Sequence, residues 1–246
     1  MPTIWEVRIS GIEPSNVRMS GMHRFLSAWF SETDVEHASR KAYSVKSRLD
    51  GSAGVAFRIG CVEDGLAQAL STLQSGRAIQ FGTTFPRVGI VESVTCVAES
   101  TWADLAADLG TAQWRLEFTS PCVVRTAGVA QPWPEPFALL RGLAVRWPAQ
   151  EGAAEFDESA ARAVAVTSAT IRDVAYLDAP TPLRGAVGTA EWTWVPARSG
   201  LPSTDEGRHT IERLMRLAEF AGMGGYVQHG MGSVVVAGRA GKPAER

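Results

Sequence analysis

Two apolar periodicities alternate along this chain, and their order constrains the fold more than any other feature. Ile4, Val7 and Ile9 form a short extended segment that Gly11 and Pro14 end. Met22, Phe25, Leu26, Trp29 and Phe30 then fall at i, i+3, i+4, i+7 and i+8, the stripe of an amphipathic helix, with Ser20 expected as its N-cap. Next, Tyr43, Val45, Ser47 and Leu49 alternate with Ser44, Lys46 and Arg48 as in a strand. Asp50-Gly51 makes a tight turn, after which Val55, Phe57, Ile59 and Cys61 share one face of a second strand. Asp64 is expected to cap a helix with Leu66, Ala69, Leu70 and Leu73 inward and Gly76 as its stop. Extended stretches at 78–81 and 88–97 complete the set. Strand, helix, strand, strand, helix, strand is the βαββαβ order of a ferredoxin-like, RRM-like unit.

The second half repeats that order without repeating the residues. The strand TAQWRLEF leads through QPWPEP to a helix with Phe137, Leu140, Leu143, Ala144 and Trp147 on one side. Residues 162–176 and 186–195 read as two strands. A helix follows, with Ser203-x-x-Glu206 as a capping box and Ile211, Leu214, Met215 and Ala218 inward. Residues 231–237 supply a last strand. Trp114, Trp192 and Trp194 are expected to pack in the sheet, and the DESAAR run to be a solvated connection. The expectation is an α+β protein of two tandem ferredoxin-like domains, residues 1–106 and 107–238, with a loose tail at 239–246.

Composition narrows the chemistry. A net charge of −2 means that any nucleic-acid binding rests on a local patch. Three cysteines without CxxC spacing argue against a disulfide framework or zinc site, and no HExxH or Cys/His cluster suggests a metal. No apolar run is long enough for a membrane helix, so the expected location is the cytoplasm. The densest basic stretch holds Arg40, Lys41, Lys46 and Arg48 with no acid between them, and this chain has only three lysines. Gly222, Gly224, Gly225, Gly230 and Gly232 crowd into AGMGGYVQHGMG. Such a loop serves either as a cradle of N–H groups for phosphate or as a helix C-cap followed by a turn. It is neither a Walker A loop nor a dinucleotide fingerprint. Of the four histidines, His37 lies in a polar segment, His23 on the border of the first helix's apolar stripe, His209 on a polar helix face expected to meet solvent, and His229 inside the glycine loop.

The duplicated fold, the segment Phe118 to Pro121, the helix after Pro136 and the G-x-G-x-x-x-x-x-G-x-G run of Gly222, Gly224, Gly230 and Gly232 together resemble one family. It is the CRISPR-associated endoribonuclease family that cuts precursor transcripts within each repeat. The resemblance implies cleavage without metal or cofactor: a substrate 2′-OH attacks the adjacent phosphorus, leaving a 2′,3′-cyclic phosphate and a 5′-OH. It also implies that His37, shortly before Tyr43-Ser44, is the acid–base histidine, with Tyr43 or Ser44 orienting it and Lys46 or Arg40 stabilising the phosphorane. Arg40, Lys41, Arg48, the five loop glycines and His229 are the RNA-binding candidates. Some members carry a tyrosine on the first helix; here Trp29 and Phe30 stand there, and the tyrosines are Tyr43, Tyr176 and Tyr226. The implied partner is CRISPR repeat RNA, as stem-loop or single strand, with effector-complex proteins as further partners and a monomer or homodimer as the state. The alternative is a non-catalytic RNA-binding subunit of an effector complex; compactness and His37 beside a basic strand favour the enzyme.

Overall fold

The computed structural model describes residues 1–33, 42–51, 54–82, 86–126, 129–147, 156–176, 183–195 and 205–240. β1 (Thr3–Ser10) is the centre of the first sheet. It leads to α1 (Met19–Glu32), β2 (Tyr43–Asp50), β3 (Gly54–Cys61), α2 (Asp64–Ser71), β4 (Ala78–Phe81) and β5 (Arg87–Glu99). The order across the sheet is β2-β3-β1-β5-β4, every neighbour antiparallel. Period-2 alternation points Val7, Ile9, Phe57 and Ile59 to the face that α1 and α2 cover with Met22, Leu26, Phe30, Leu66 and Leu70, all buried. The extended stretch expected at 78–81 forms an edge strand hairpinned onto β5, which gives the sheet five strands where the βαββαβ order has four.

A short helix, α3 (Trp102–Ala106), is closed by a Thr101–Asp104 capping box. The second sheet is built from β6 (Thr111–Cys122), β9 (Val164–Tyr176), β10 (Leu183–Trp194) and β11 (Val234–Ala240), in the order β11-β6-β10-β9. Between β6 and β9 come a small hairpin, β7 (Val124–Thr126) with β8 (Val129–Gln131), and the helices α4 (Pro136–Ala144) and α5 (Glu158–Arg162). α6 (Asp205–Ala221) precedes β11. Trp114 and Trp192 are core residues, as expected from their strand positions.

Several local expectations need correcting. Arg18 occupies the N-cap of α1, so Ser20 lies within the first turn. Glu63 holds that place for α2, with Asp64 one residue inside, where its charge still suits the helix dipole. The DESAAR run is not a solvated connection: Asp157 caps α5 through Ala160 N–H, and Ala160 and Ala161 are buried. Ser203, the expected capping-box residue, lies outside the described residues.

Candidate active site

α6 runs directly into the glycine loop, and the loop's amides turn inward. The N–H groups of Gly222, Met223, Gly225 and Gly232 donate to Ala218, Gly232, Val123 and Pro121 oxygens, all between 2.8 and 2.9 Å. A Cβ on Gly232 would stand 1.9 Å from Met223 O, and one on Gly224 would stand 2.6 Å from Val123 O. Gly222, Gly224, Gly230 and Gly232 all have positive φ. The close backbone approach that glycine permits is therefore made within the loop itself, at Met223, and to Val123 between β6 and β7. These amides do not form the phosphate cradle set out above. The buried guanidinium of Arg146 ties the loop down from the other side, donating to Gly222 O at 2.5 Å and Gly224 O at 2.6 Å.

What the loop presents is His229. Tyr226, the one non-glycine with positive φ among the described residues, starts a single 3-10 turn over Val227–His229. The Tyr226 carbonyl accepts from His229 N–H, while the Tyr176 hydroxyl donates to His229 O. The Tyr226 ring meets His229 edge-on at 6.2 Å, and Arg125 lies over Tyr226 at 5.1 Å while donating to its hydroxyl.

Against His229 lies the border of α1. The His23 and His229 rings are 4.0 Å apart between centroids and tilted by 50°. His23 Nδ1 is 2.7 Å from the Tyr43 hydroxyl, which Ser27, one turn along α1, approaches at 3.3 Å. Tyr43 is fully buried with Phe30 against its ring, and burial pushes its hydroxyl up to about 12. It therefore stays protonated through the neutral range. A hydroxyl can donate to a neutral imidazole and accept from an imidazolium, so Tyr43 supports His23 in both protonation states.

Lys46 departs from the sequence reading. β2 is buried on both faces: Tyr43 and Val45 against α1, Ser44 and Lys46 against the C-terminal end of α6. Lys46 is 8% exposed, and loss of water lowers its ammonium to about 8; Glu219 opposes that shift and the Arg146 cation adds to it. A register shift between Val45 and Arg48 also breaks the alternation that placed Lys46 and Arg48 on one face. The Arg48 side chain, His37, Arg40 and Lys41 lie outside the described residues. His209 is not solvent-facing: its Nε2 is 2.6 Å from Ala106 O. Sequence reasoning passed over Ser27, Tyr176 and Tyr226 as site residues. The spacing of His23 and Ser27 on one helix edge was a usable signal; nothing in the sequence marked the two tyrosines. Among the described residues, no group of three His, Cys, Asp or Glu side chains is placed to hold a metal ion.

Residues 116–234, from mid-β6 to the start of β11, match the family described as CRISPR-associated endoribonuclease Cas6. That stretch, a little under half of the chain, is similar to the Cas6 family. Solved Cas6 structures share its fold over 96% of this chain. A Cas6 product complex superposes with a TM-score of 0.75 at 18% identity, covering 99% of that chain. A Cas6 substrate mimic complex gives 0.76 at 20% identity over 99% of that chain. Thermus thermophilus Cas6 gives 0.70 at 20% identity over 98% of that chain. No curated protein matches the sequence significantly. No described helix is long and apolar enough to cross a membrane.

Proposed function

We propose that this protein is a Cas6 endoribonuclease that cuts CRISPR repeat RNA within the repeat by attack of a 2′-OH on the adjacent phosphorus. The O2′–P bond forms and the P–O5′ bond breaks. A base takes the 2′-OH proton and an acid delivers one to O5′, leaving a 2′,3′-cyclic phosphate and a 5′-OH. No metal is required, because proton transfer and charge stabilisation are both within reach of side chains.

The observation that supports this reading is the His23–His229 contact, with Tyr43 behind His23. It gathers titratable rings from two distant parts of the chain, and rings of this kind exchange protons near neutral pH. His23 is one proton-transfer group, held by Tyr43. His37, six residues ahead of Tyr43, is the second. His229 faces the scissile phosphate as a donor. Tyr43 is thus a positioning residue for His23, and Lys46 is withdrawn from the chemistry.

The test is incubation with the repeat RNA of the source genome in EDTA, followed by end-group analysis. Cleavage once per repeat with a cyclic phosphate is expected, and a 2′-deoxy nucleotide on the 5′ side of the cut should block it. Products with a 3′-OH and 5′-phosphate, or activity lost in EDTA, refute the mechanism. Tyr43→Phe should slow cleavage about tenfold, the worth of one buried hydrogen bond, and shift the pH–rate profile without changing RNA affinity.

A further inference from the structure

Beside the site, between α4 and the start of β7, runs a groove of about 380 Å³ whose lining includes Val124, Arg125, Leu139, Gly142, Arg146 and Gly224. That volume lies in the range of small-molecule sites, about 300–1,000 Å³. Three independent features single the groove out. Gly142 sits inside α4, where a glycine costs the helix about 1 kcal/mol relative to alanine. A Cβ built there meets nothing within 4 Å, so packing of this chain does not require the glycine.

The second feature is charge. Arg146 is buried and spends its donors on the carbonyls of Ala221, Gly222 and Gly224. Among the described residues no carboxylate pairs with it, and Lys46 adds a second buried cation nearby. Buried charge ordinarily has a counter-charge, and this groove's wall offers an anion one. The third feature is Arg125, also in the groove lining. Its guanidinium is laid over Tyr226, whose left-handed backbone is strained and whose ring edge contacts His229.

We propose that this groove holds one unpaired nucleotide of the RNA. Its phosphate lies between Arg125 and the field of Arg146, and its base lies on the open side of α4, against Ala138, Gly142 and Val145. The inference rests on the reading above that the substrate is repeat RNA. The Tyr226–His229 contact then makes occupancy of the groove a way of fixing the register of the cut.

The experiment fills the groove from Gly142. Gly142→Leu and Gly142→Ala are compared with wild type for thermal midpoint, repeat-RNA affinity and cleavage rate. Each unpaired position of the RNA is replaced in turn by an abasic nucleotide. Wild type should lose affinity about tenfold at one abasic position, within the worth of a single base contact. Gly142→Leu should lose a similar factor with the intact RNA and nothing further with that abasic RNA. Gly142→Ala should raise the midpoint while weakening binding less, which covers the case of a leucine variant that does not fold. Wild-type affinity in Gly142→Ala, together with undiminished abasic sensitivity in either folded variant, overturns the groove. Inorganic phosphate or a free mononucleotide that competes equally at every abasic position shows an anion site without a base, and overturns it too. A wild-type chain that binds no repeat RNA overturns the parent reading as well.

Discussion

Lys46 offers the sharpest test of how β2 is buried. Its ammonium is lowered from 10.5 to about 8, chiefly by loss of water. The folded protein therefore holds this proton less tightly than the unfolded chain. Below pH 8 both states are protonated, and the fold carries the full cost of a buried cation. Between about 8 and 10.5 the unfolded chain binds more protons, so stability contributed by this group rises with pH; above 10.5 the cost is gone. The difference of roughly 2.5 pH units corresponds to about 3 kcal/mol. Buried Tyr43 and Cys122, each pushed up to about 12, titrate against this trend, because raised acids lose their stabilising effect as pH climbs past their unfolded values. A single protein's pH profile therefore mixes signs. The informative quantity is the stability of Lys46→Met minus that of wild type, from urea melts at intervals between about pH 7 and 10.5. It should fall by about 3 kcal/mol across that range, whatever constant offset the methionine introduces. The variant should keep its RNA cleavage and the salt dependence of its RNA binding. A difference that stays flat with pH would show Lys46 to be solvated, and a variant that binds but does not cut would return it to the chemistry.

His23→Ala and His37→Ala should each lower the single-turnover rate by about 10²–10⁴ with affinity nearly intact, and a full rate in either removes that histidine from proton transfer. Gly232→Ala, whose Cβ would stand 1.9 Å from a backbone oxygen, should cost more than about 3 kcal/mol in a urea melt; Gly230→Ala, which meets the flexible Met19 side chain, should cost about 1–2. Equal losses would refute the packed-loop account. Glu212→Ala should destabilise by about 3 kcal/mol, because buried Glu212 accepts from Arg208 and from the Leu109 and Thr111 amides. A melt within about 0.5 kcal/mol of wild type would contradict it.

The element order was legible because helix and strand periods differ: Val55, Phe57, Ile59 and Cys61 mark a strand with one apolar side, although Ala56 and Gly60 on its other side are buried as well. The glycine loop was legible as a place of close approach, but Gly224 and Gly232 do not say what approaches, and here it is the chain's own carbonyls. Lys46 was misread because strict alternation assumes one wet face, whereas the end of α6 covers the second face of β2. His23 was undervalued because Tyr43 reaches it only when β2 packs against α1, and His229 only when the two halves dock. Periodicity reports what each segment does to itself and is silent about what another segment does to it.

At Gly60, β3 comes so near to α6 that an added methyl would sit 2.0 Å from Phe220 O, and Ser44 Oγ donates to that same oxygen at 2.9 Å. At this point backbone meets backbone, with no side chain of β3 between it and α6. If the proposed nuclease moves little at this joint, the work of conforming falls to the polynucleotide. Selectivity then becomes a property of RNA mechanics. Under the proposed function, repeats that kink cheaply at the scissile step are expected to be cut faster than stiffer sequences with the same letters around the cut.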